Sequence, residues 1–403
     1  MREPAANIPP PVAIAGCGVI CAVGCGVAAL QSALRANASG LRACERFNSP
    51  RFQSSIVGAV ADDFFRADED NPAYRLAAEA LRQARAGAHL VLSSISAARI
   101  GLVLATTKAN IEALERLSDG RACSDSARRH LQGNLLAADL AAEFGAGGPV
   151  QCVSAACVSG LSAIQQGAKI IQRNEADAVF VVGADHLSTF VMAGFTAFKA
   201  IDPNGCRPFD KDRCGLSPGE AGAAIVLVGQ ASSLSSSKLQ LDRQDACPTI
   251  KIRGWGTSND ANHLTGPSRD GSGLALAIRA ALASAKLSAT EIDYVNAHGT
   301  GTPYNDAMES LALKTIFGGA CPPFSAAKGM LGHTLGAAGV IETIICVLAL
   351  RENFLPGTPR LDSPADGVPE NLAREPRDAH LKNVLKLNTG FGGLNGALIL
   401  SHG

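Results

Sequence analysis

The run Ser154-Ala-Ala-Cys157-Val-Ser-Gly160 constrains this chain more than any other, because it sets one cysteine where an extended apolar stretch meets a long helical pattern. Residues 148–154 close the extended stretch. Val158, Leu161, Ile164, Ile170 and Ile171 then recur at roughly helical spacing, and residues 178–182 read as the next strand. Such a strand, turn, helix, strand unit places Cys157 on the turn, where a thiolate nucleophile belongs. The unpaired N–H groups and positive end of a helix favour an anion, so a thiol there is expected to ionise more readily than a free cysteine. A sharp turn of small residues is also expected to expose it, as in the nucleophile elbows of hydrolases.

The same alternation runs along the chain. Strand-like runs at 11–15, 100–105, 151–153, 179–183 and 223–228 alternate with helical patterns, which predicts a layered α/β architecture with largely parallel strands. The serine-rich segment 231–238 and the polar stretch to Pro248 break the pattern. A second series follows, with strands at 250–254, ending at Val295, at 384–387 and at 397–400, and helices at 273–285, inside 303–316 and inside 334–350. Two α/β halves are therefore expected, one over 1–235 carrying the cysteine and one over 249–403. A chain of 403 residues is long enough for two such cores.

Composition excludes several classes of function. Lys+Arg and Asp+Glu both number 36, so the chain lacks the basic excess typical of nucleic-acid binders. No apolar run reaches the ~18 residues of a membrane span, and the alternation of Val12 and Ile14 fits a first strand better than a lipoprotein leader ending at Cys17. Twelve cysteines scattered through so large a chain read as reduced thiols of a cytoplasmic protein. Cys17, Cys21 and Cys25 have neither CxxC spacing nor a histidine, and are expected as small fillers at a strand-to-helix junction rather than metal ligands.

Three glycine-rich motifs lie further along: Val295-Asn-Ala-His298-Gly-Thr-Gly-Thr302, Lys328-Gly-Met-Leu-Gly-His333-Thr-Leu-Gly-Ala-Ala-Gly339 and Asn388-Thr-Gly-Phe391-Gly-Gly-Leu-Asn395. Any one of them alone describes a tight turn. In this order, and with Arg207-Pro-Phe-Asp210, Gly219-Glu220 and Asp260-Ala-Asn-His263-Leu-Thr265, they resemble the elongating β-ketoacyl-acyl carrier protein synthases of the thiolase-like family, from about residue 11 to about residue 400. The resemblance implies a thiolase-like fold, two duplicated α/β halves in five layers, α-β-α-β-α, with the site between them. It also implies a homodimer, an acyl carrier protein as partner, and no cofactor beyond the 4′-phosphopantetheine that carries the substrates.

Roles follow from the same resemblance. Cys157 would take the acyl chain as a thioester, and the backbone N–H groups of Cys157 and Phe391 would hold the oxyanion. His298 and His333 would bind the enolate left by decarboxylation of a malonyl thioester, with Lys328 as supporting electrostatics and Glu342 organising the site. Thr300 and Thr302 would bind the pantetheine arm, although Gly-Thr-Gly-Thr also builds a turn. His263 and Thr107 are expected on the substrate side. Asn296 and Asn388 would serve the local backbone or, with Glu342, a monovalent cation.

The chain departs from the family at several points. The usual Asn-Ser-Phe-Gly-Phe-Gly-Gly is Asn388-Thr-Gly-Phe391-Gly-Gly393, with one phenylalanine fewer, so a gating aromatic is expected to be missing. Residues 105–110 lack the usual glycines of the acyl pocket, and Val158 replaces a small residue. These changes are similar to those of aryl polyene and flexirubin-type ketosynthases and favour a specialised pathway over housekeeping fatty-acid elongation. A thiolase is disfavoured because no cysteine follows Cys346. A catalytically silent chain-length-factor-like subunit, or an enzyme working beside one as a heterodimer, is the alternative of a different class.

Overall fold

The computed structural model describes residues 11–66, 68–229 and 250–402. The first set of elements runs β1 (Val12–Cys21), α1 (Pro72–Gly87), β2 (Ile100–Ala105), α2 (Gly133–Phe144), β3 (Val150–Val153), α3 (Ser159–Gln172), β4 (Ala178–Asp185) and β5 (Ala221–Gly229). The second runs β6 (Ile250–Asn259), α4 (Ser272–Ala285), β7 (Tyr294–Asn296), α5 (Pro303–Phe317), β8 (Phe324–Ser325), α6 (Lys328–Leu331), α7 (Ala338–Arg351), β9 (Asn383–Gly390) and β10 (Leu394–His402). The expected division between 235 and 249 lies outside the described residues.

Strand order reveals the duplication that sequence self-similarity does not. The path is β8-β7-β9-β10-β6-β1-β5-β4-β2-β3, so numbering the strands one to five within each set gives the same order, 3-2-4-5-1, twice. Orientation repeats as well. In the first set β2 is parallel to β3 and β4, while β5 is antiparallel to β4 and β1. In the second, β7 is parallel to β8 and β9, while β10 is antiparallel to β9 and β6. The two sets join where Val12, Ala13 and Ile14 of β1 pair with Ile252, Lys251 and Ile250 of β6.

Alternation along each strand sorts side chains into layers, because successive residues point to opposite faces. Val103, Val179, Val181 and Ile225 join α3 and α7 in a central core with Val384, Leu398 and Leu400 of the second set. Leu102, Leu104, Phe180 and Val182 face the other way, onto α1 and α2. Leu385, Leu387, Ala397 and Ile399 pack outward on α4 and α5. The result is the expected five-layered thiolase-like fold, with strands apolar on both faces because both are covered.

Two local findings differ from expectation. β1 continues to Cys21 rather than ending near Ala15, since Gly16 and Gly18 serve close packing: a Cβ on either would stand 2.2 or 2.0 Å from the Ala84 or Ala80 carbonyl of α1. Cys17 and Cys21 consequently lie within β1, whereas Cys25 ends the short strand paired with it and stands at the expected strand-to-helix junction, just before the helix Val27–Arg35. No helix among the described residues is long and apolar enough to cross a membrane.

The central helices cross backbone to backbone. A Cβ on Gly160 of α3 would lie 2.8 Å from the Gly339 Cα, and one on Gly339 of α7 would lie 2.3 Å from the Leu161 nitrogen. Neither gap admits a methyl group, so G339A is expected to force α3 and α7 apart at a cost of about 1–3 kcal/mol or more. Thermal denaturation would show this as a clear fall in Tm. In Gly194→Ala, where nothing lies within 4 Å, the Tm should stay close to wild type, and equal behaviour of the two variants would contradict the packing argument.

Candidate active site

Cys157 lies on a strained turn between β3 and α3. Ala156 has φ 47°, a left-handed conformation that costs a non-glycine residue about 1–2 kcal/mol. The Ser159 side chain holds the turn, accepting the Ala155 N–H at 2.8 Å and donating to the Ala156 carbonyl at 2.6 Å. From the other half, Gly390 comes so close that a Cβ there would stand 3.2 Å from the Cys157 nitrogen. The Phe391 N–H, next in line, is placed to lower the pKa of the Cys157 thiol.

The thiol is not acidic as the helix-terminus argument predicts. Its pKa is raised to about 11, first by burial; the Lys328 charge and the Phe391 N–H pull it down, and Glu342 and Asp185 push it back up. The residue keeps part of its surface, but its sulfur lies under the cavity rather than on an open elbow. Resting Cys157 is thus a thiol. The donors around it stabilise the thiolate when one forms.

His298 follows β7 on a loop held by two buried carboxylates from the first turns of α5. Glu309 accepts the His298 and Gly299 N–H groups at 2.6 and 2.8 Å, and Asp306 accepts those of Thr300, Gly301 and Phe209. His333 follows α6, its N–H donating to the Ser217 carbonyl at 2.7 Å and its carbonyl accepting the Gly219 N–H at 2.9 Å. The two imidazoles meet edge to face, with ring centroids 5.3 Å apart.

Their hydrogen bonds assign the tautomers. His298 Nδ1 lies 3.0 Å from both the Lys328 ammonium and the Asn388 amide nitrogen, which can only donate, so Nδ1 carries the lone pair and Nε2 the proton. His333 Nδ1 accepts the Leu335 N–H at 3.3 Å, and its Nε2 lies 3.0 Å from the Cys157 sulfur. Burial, then the Lys328 and Lys386 charges, hold both rings well below the ordinary histidine range, His333 adding to the effect on His298. Both are therefore neutral donors at neutral pH.

Behind His298 lies a buried charge cluster. Lys328 Nζ reaches the His298 carbonyl and Glu342 Oε1, each at 2.6 Å. Glu342 Oε2 accepts the Asn388 amide at 3.1 Å and pairs with Lys386 Nζ at 3.0 Å. Lys386 Nζ also donates to the Leu387 carbonyl and, at 3.4 Å, to the Asn296 carbonyl. Where a monovalent cation was the alternative, this ammonium engages Glu342 Oε2 and the Asn296 carbonyl, while the side-chain oxygens of Asn296 and Asn388 are buried without a hydrogen-bond partner. Asn296 is buried there too, its amide donating to the Tyr294 hydroxyl at 3.1 Å.

One ring nitrogen of each histidine and the Cys157 sulfur lie within 4.8 Å of one another. That spacing would suit a small metal ion, but the donors do not: each Nε2 keeps its proton and the Lys328 ammonium stands behind. The three residues open on a cavity of about 700 Å³ that Thr300, Thr302 and Phe391 also line.

Residues 10–232 match the N-terminal domain of the beta-ketoacyl synthases and residues 250–362 their C-terminal domain. The chain is 33% identical to the "Putative polyketide beta-ketoacyl synthase 1" of Streptomyces halstedii, covering 97% of each chain. It is 32% identical to the "3-oxoacyl-[acyl-carrier-protein] synthase 2" of Coxiella burnetii, covering 97% of this chain and 98% of that one. The chain belongs to the β-ketoacyl synthase family. Among solved structures, "The ishigamide ketosynthase/chain length factor" superposes on this β-ketoacyl synthase with a TM-score of 0.88 at 30% identity, over 98% of this chain and 100% of that one.

Most sequence-predicted residues of this β-ketoacyl synthase converge. His263 lines the cavity, its Nδ1 accepting the Thr265 and Gly266 N–H groups at 3.1 and 3.2 Å. The Thr300 and Thr302 hydroxyls face each other at 2.8 Å. Thr107 does not join them: its N–H and hydroxyl both donate to buried Asp185, and it is absent from the cavity wall. Phe391, the phenylalanine that the last motif retains, packs on Phe195 and Phe198 at the cavity with centroids 6.2 and 5.9 Å away. Asp306, Glu309 and Lys386 were missed. The first two were signalled by their three-residue spacing on the helix after the glycine loop, the third by a lone charge inside the apolar run Val384-Leu-Lys386-Leu387.

The raised thiol pKa has a kinetic consequence. Alkylation of Cys157 by iodoacetamide, followed by peptide mass, is expected to rise about tenfold per pH unit between about pH 7 and pH 9.5, because only the thiolate reacts. A plateau already reached near neutral pH would show an acidic thiol instead.

Proposed function

We propose that this β-ketoacyl synthase catalyses decarboxylative condensation between an acyl chain on Cys157 and a malonyl group on an acyl carrier protein. The observation that carries this reading is the meeting of one thiol with two neutral imidazole donors in a single cavity. In the first half-reaction the Cys157 sulfur attacks the acyl thioester, a new thioester forms, and the carrier thiol leaves with the proton. The Cys157 and Phe391 N–H groups are the donors for the oxyanion of that step.

In the second half-reaction the malonyl carboxylate departs as carbon dioxide, leaving its electron pair as an enolate. The His298 and His333 Nε2–H groups donate to the enolate oxygen; its carbon attacks the acyl carbonyl, and the Cys157 sulfur leaves and regains a proton. Neutral donors suit this step, since they stabilise the oxyanion without first surrendering a proton to the malonyl carboxylate.

The reading extends to a specialised polyketide or polyene pathway in the cytoplasm, beside a chain-length-factor-like subunit. Support comes from the polyketide ketosynthase relative and the solved ketosynthase and chain length factor pair. The intact Cys157, His298 and His333 cluster argues against a silent subunit.

The purified protein, with and without a candidate partner subunit, would be offered carrier proteins bearing saturated or polyene chains. Acylation of Cys157 is read by intact mass and decarboxylation by carbon dioxide release. C157A is expected to abolish acylation. H298A and H333A should each slow decarboxylation about 10²–10³-fold while self-acylation suffers less. Acyl-enzyme formation by C157A, or normal condensation by either histidine variant, would contradict the assignment; rapid turnover of saturated chains by the protein alone would place it in fatty-acid elongation.

A further inference from the structure

The Lys386 side chain is a charged group that the proposed reaction does not use. It is fully buried on β9, between Leu385 and Leu387, which face away into the outer core. A charge so placed is costly unless oxygens surround it. Here they do: Nζ meets Glu342 Oε2, the Asn296 carbonyl and the Leu387 carbonyl. Glu342 in turn is shared with Lys328, so one carboxylate lies between two ammonium groups.

Two chains of contact lead from that carboxylate to the same imidazole nitrogen. Oε2 receives the Asn388 amide, whose nitrogen is 3.0 Å from His298 Nδ1; Oε1 receives Lys328 Nζ, also 3.0 Å from His298 Nδ1. Whatever fixes the plane of the Glu342 carboxylate fixes both donors to Nδ1, and so keeps the proton on Nε2. Lys386 is the group that holds Oε2 in place from the far side.

We propose that Lys386 is a positioning residue, a built-in monovalent cation that locks Glu342 and thereby keeps His298 as a neutral donor to the reaction cavity. Its ammonium is tethered, so the native enzyme needs no dissolved cation at this point. The inference deepens the condensation reading and rests on it for its effect on catalysis. The oxygen cage itself does not depend on that reading.

The test replaces the ammonium and keeps the stem, with Lys386→Met. Removing Nζ leaves the three oxygens around a space of ammonium size, which a small dissolved cation can enter. At constant ionic strength in tetramethylammonium chloride, K386M is expected to decarboxylate malonyl carrier protein at least 30-fold more slowly than wild type, with acylation of Cys157 changed less than threefold. Substituting ammonium or potassium chloride should restore most of the rate and raise the Tm of K386M, while leaving both unchanged in the wild type. Equal rates in K386M and wild type without small cations would overturn the proposal. So would rescue by tetramethylammonium equal to that by potassium, or parallel loss of acylation and decarboxylation.

The Tm arm separates the two readings. A wild type that releases no carbon dioxide from malonyl carrier protein would sink the condensation reading, whereas potassium-specific stabilisation of K386M alone would still establish the cage. Absence of that stabilisation would sink the cage whatever the activity.

Discussion

The Lys328 ammonium against His298 Nδ1 is the interaction on which the rest of the site depends. Coulomb attraction between unit charges at ~4 Å grows from about 1 kcal/mol in water to several in a protein environment, so Lys328 in the core must be matched, and Glu342 matches it at 2.6 Å. That pairing leaves the ammonium free to donate to the imidazole without becoming an isolated charge. His298 is then compelled to keep its proton on Nε2. The same positive charge discourages protonation of His333 and pulls the Cys157 thiol pKa down against burial.

The fold's duplication explains how these groups meet. Cys157 comes from the first set of elements, whereas His298, Lys328, His333, Asn388 and Phe391 come from the second. Each set brings a helix to the centre, α3 and α7, and their starts touch at Gly160 and Gly339. The contact is close because neither residue has a side chain. A wider crossing would move Cys157 on one helix start away from His333 just before the other, and the 3.0 Å contact between them leaves little slack.

Much of this was legible in the chain. Cys157, His298 and His333 stood in long motifs, and the helices inside 303–316 and 334–350 matched α5 and α7. What local reasoning missed came from tertiary burial. The helix-terminus argument for an acidic thiol counted the dipole of α3 but not the removal of water by the opposite half, which decides the sign. Thr107 stands in a stretch expected at the acyl pocket, yet Asp185, 78 residues away, engages its hydroxyl. Lys386 was readable only as an oddity, since nothing in its neighbours names Glu342 as its partner. Gly16 and Gly18 looked like the end of a strand because glycine disfavours one; the helix lying across them supplies the reason they are there.

Both active-site imidazoles are neutral and carry their protons on Nε2. The direct measurement is ¹⁵N chemical shifts of histidine-labelled protein, with His298 and His333 assigned by substitution and followed from about pH 8 to about pH 5.5. Each ring should show one pyrrole-type Nε2 and one pyridine-type Nδ1 across that range. An imidazolium pattern near neutral pH, or the proton on Nδ1 of His298, would contradict this assignment.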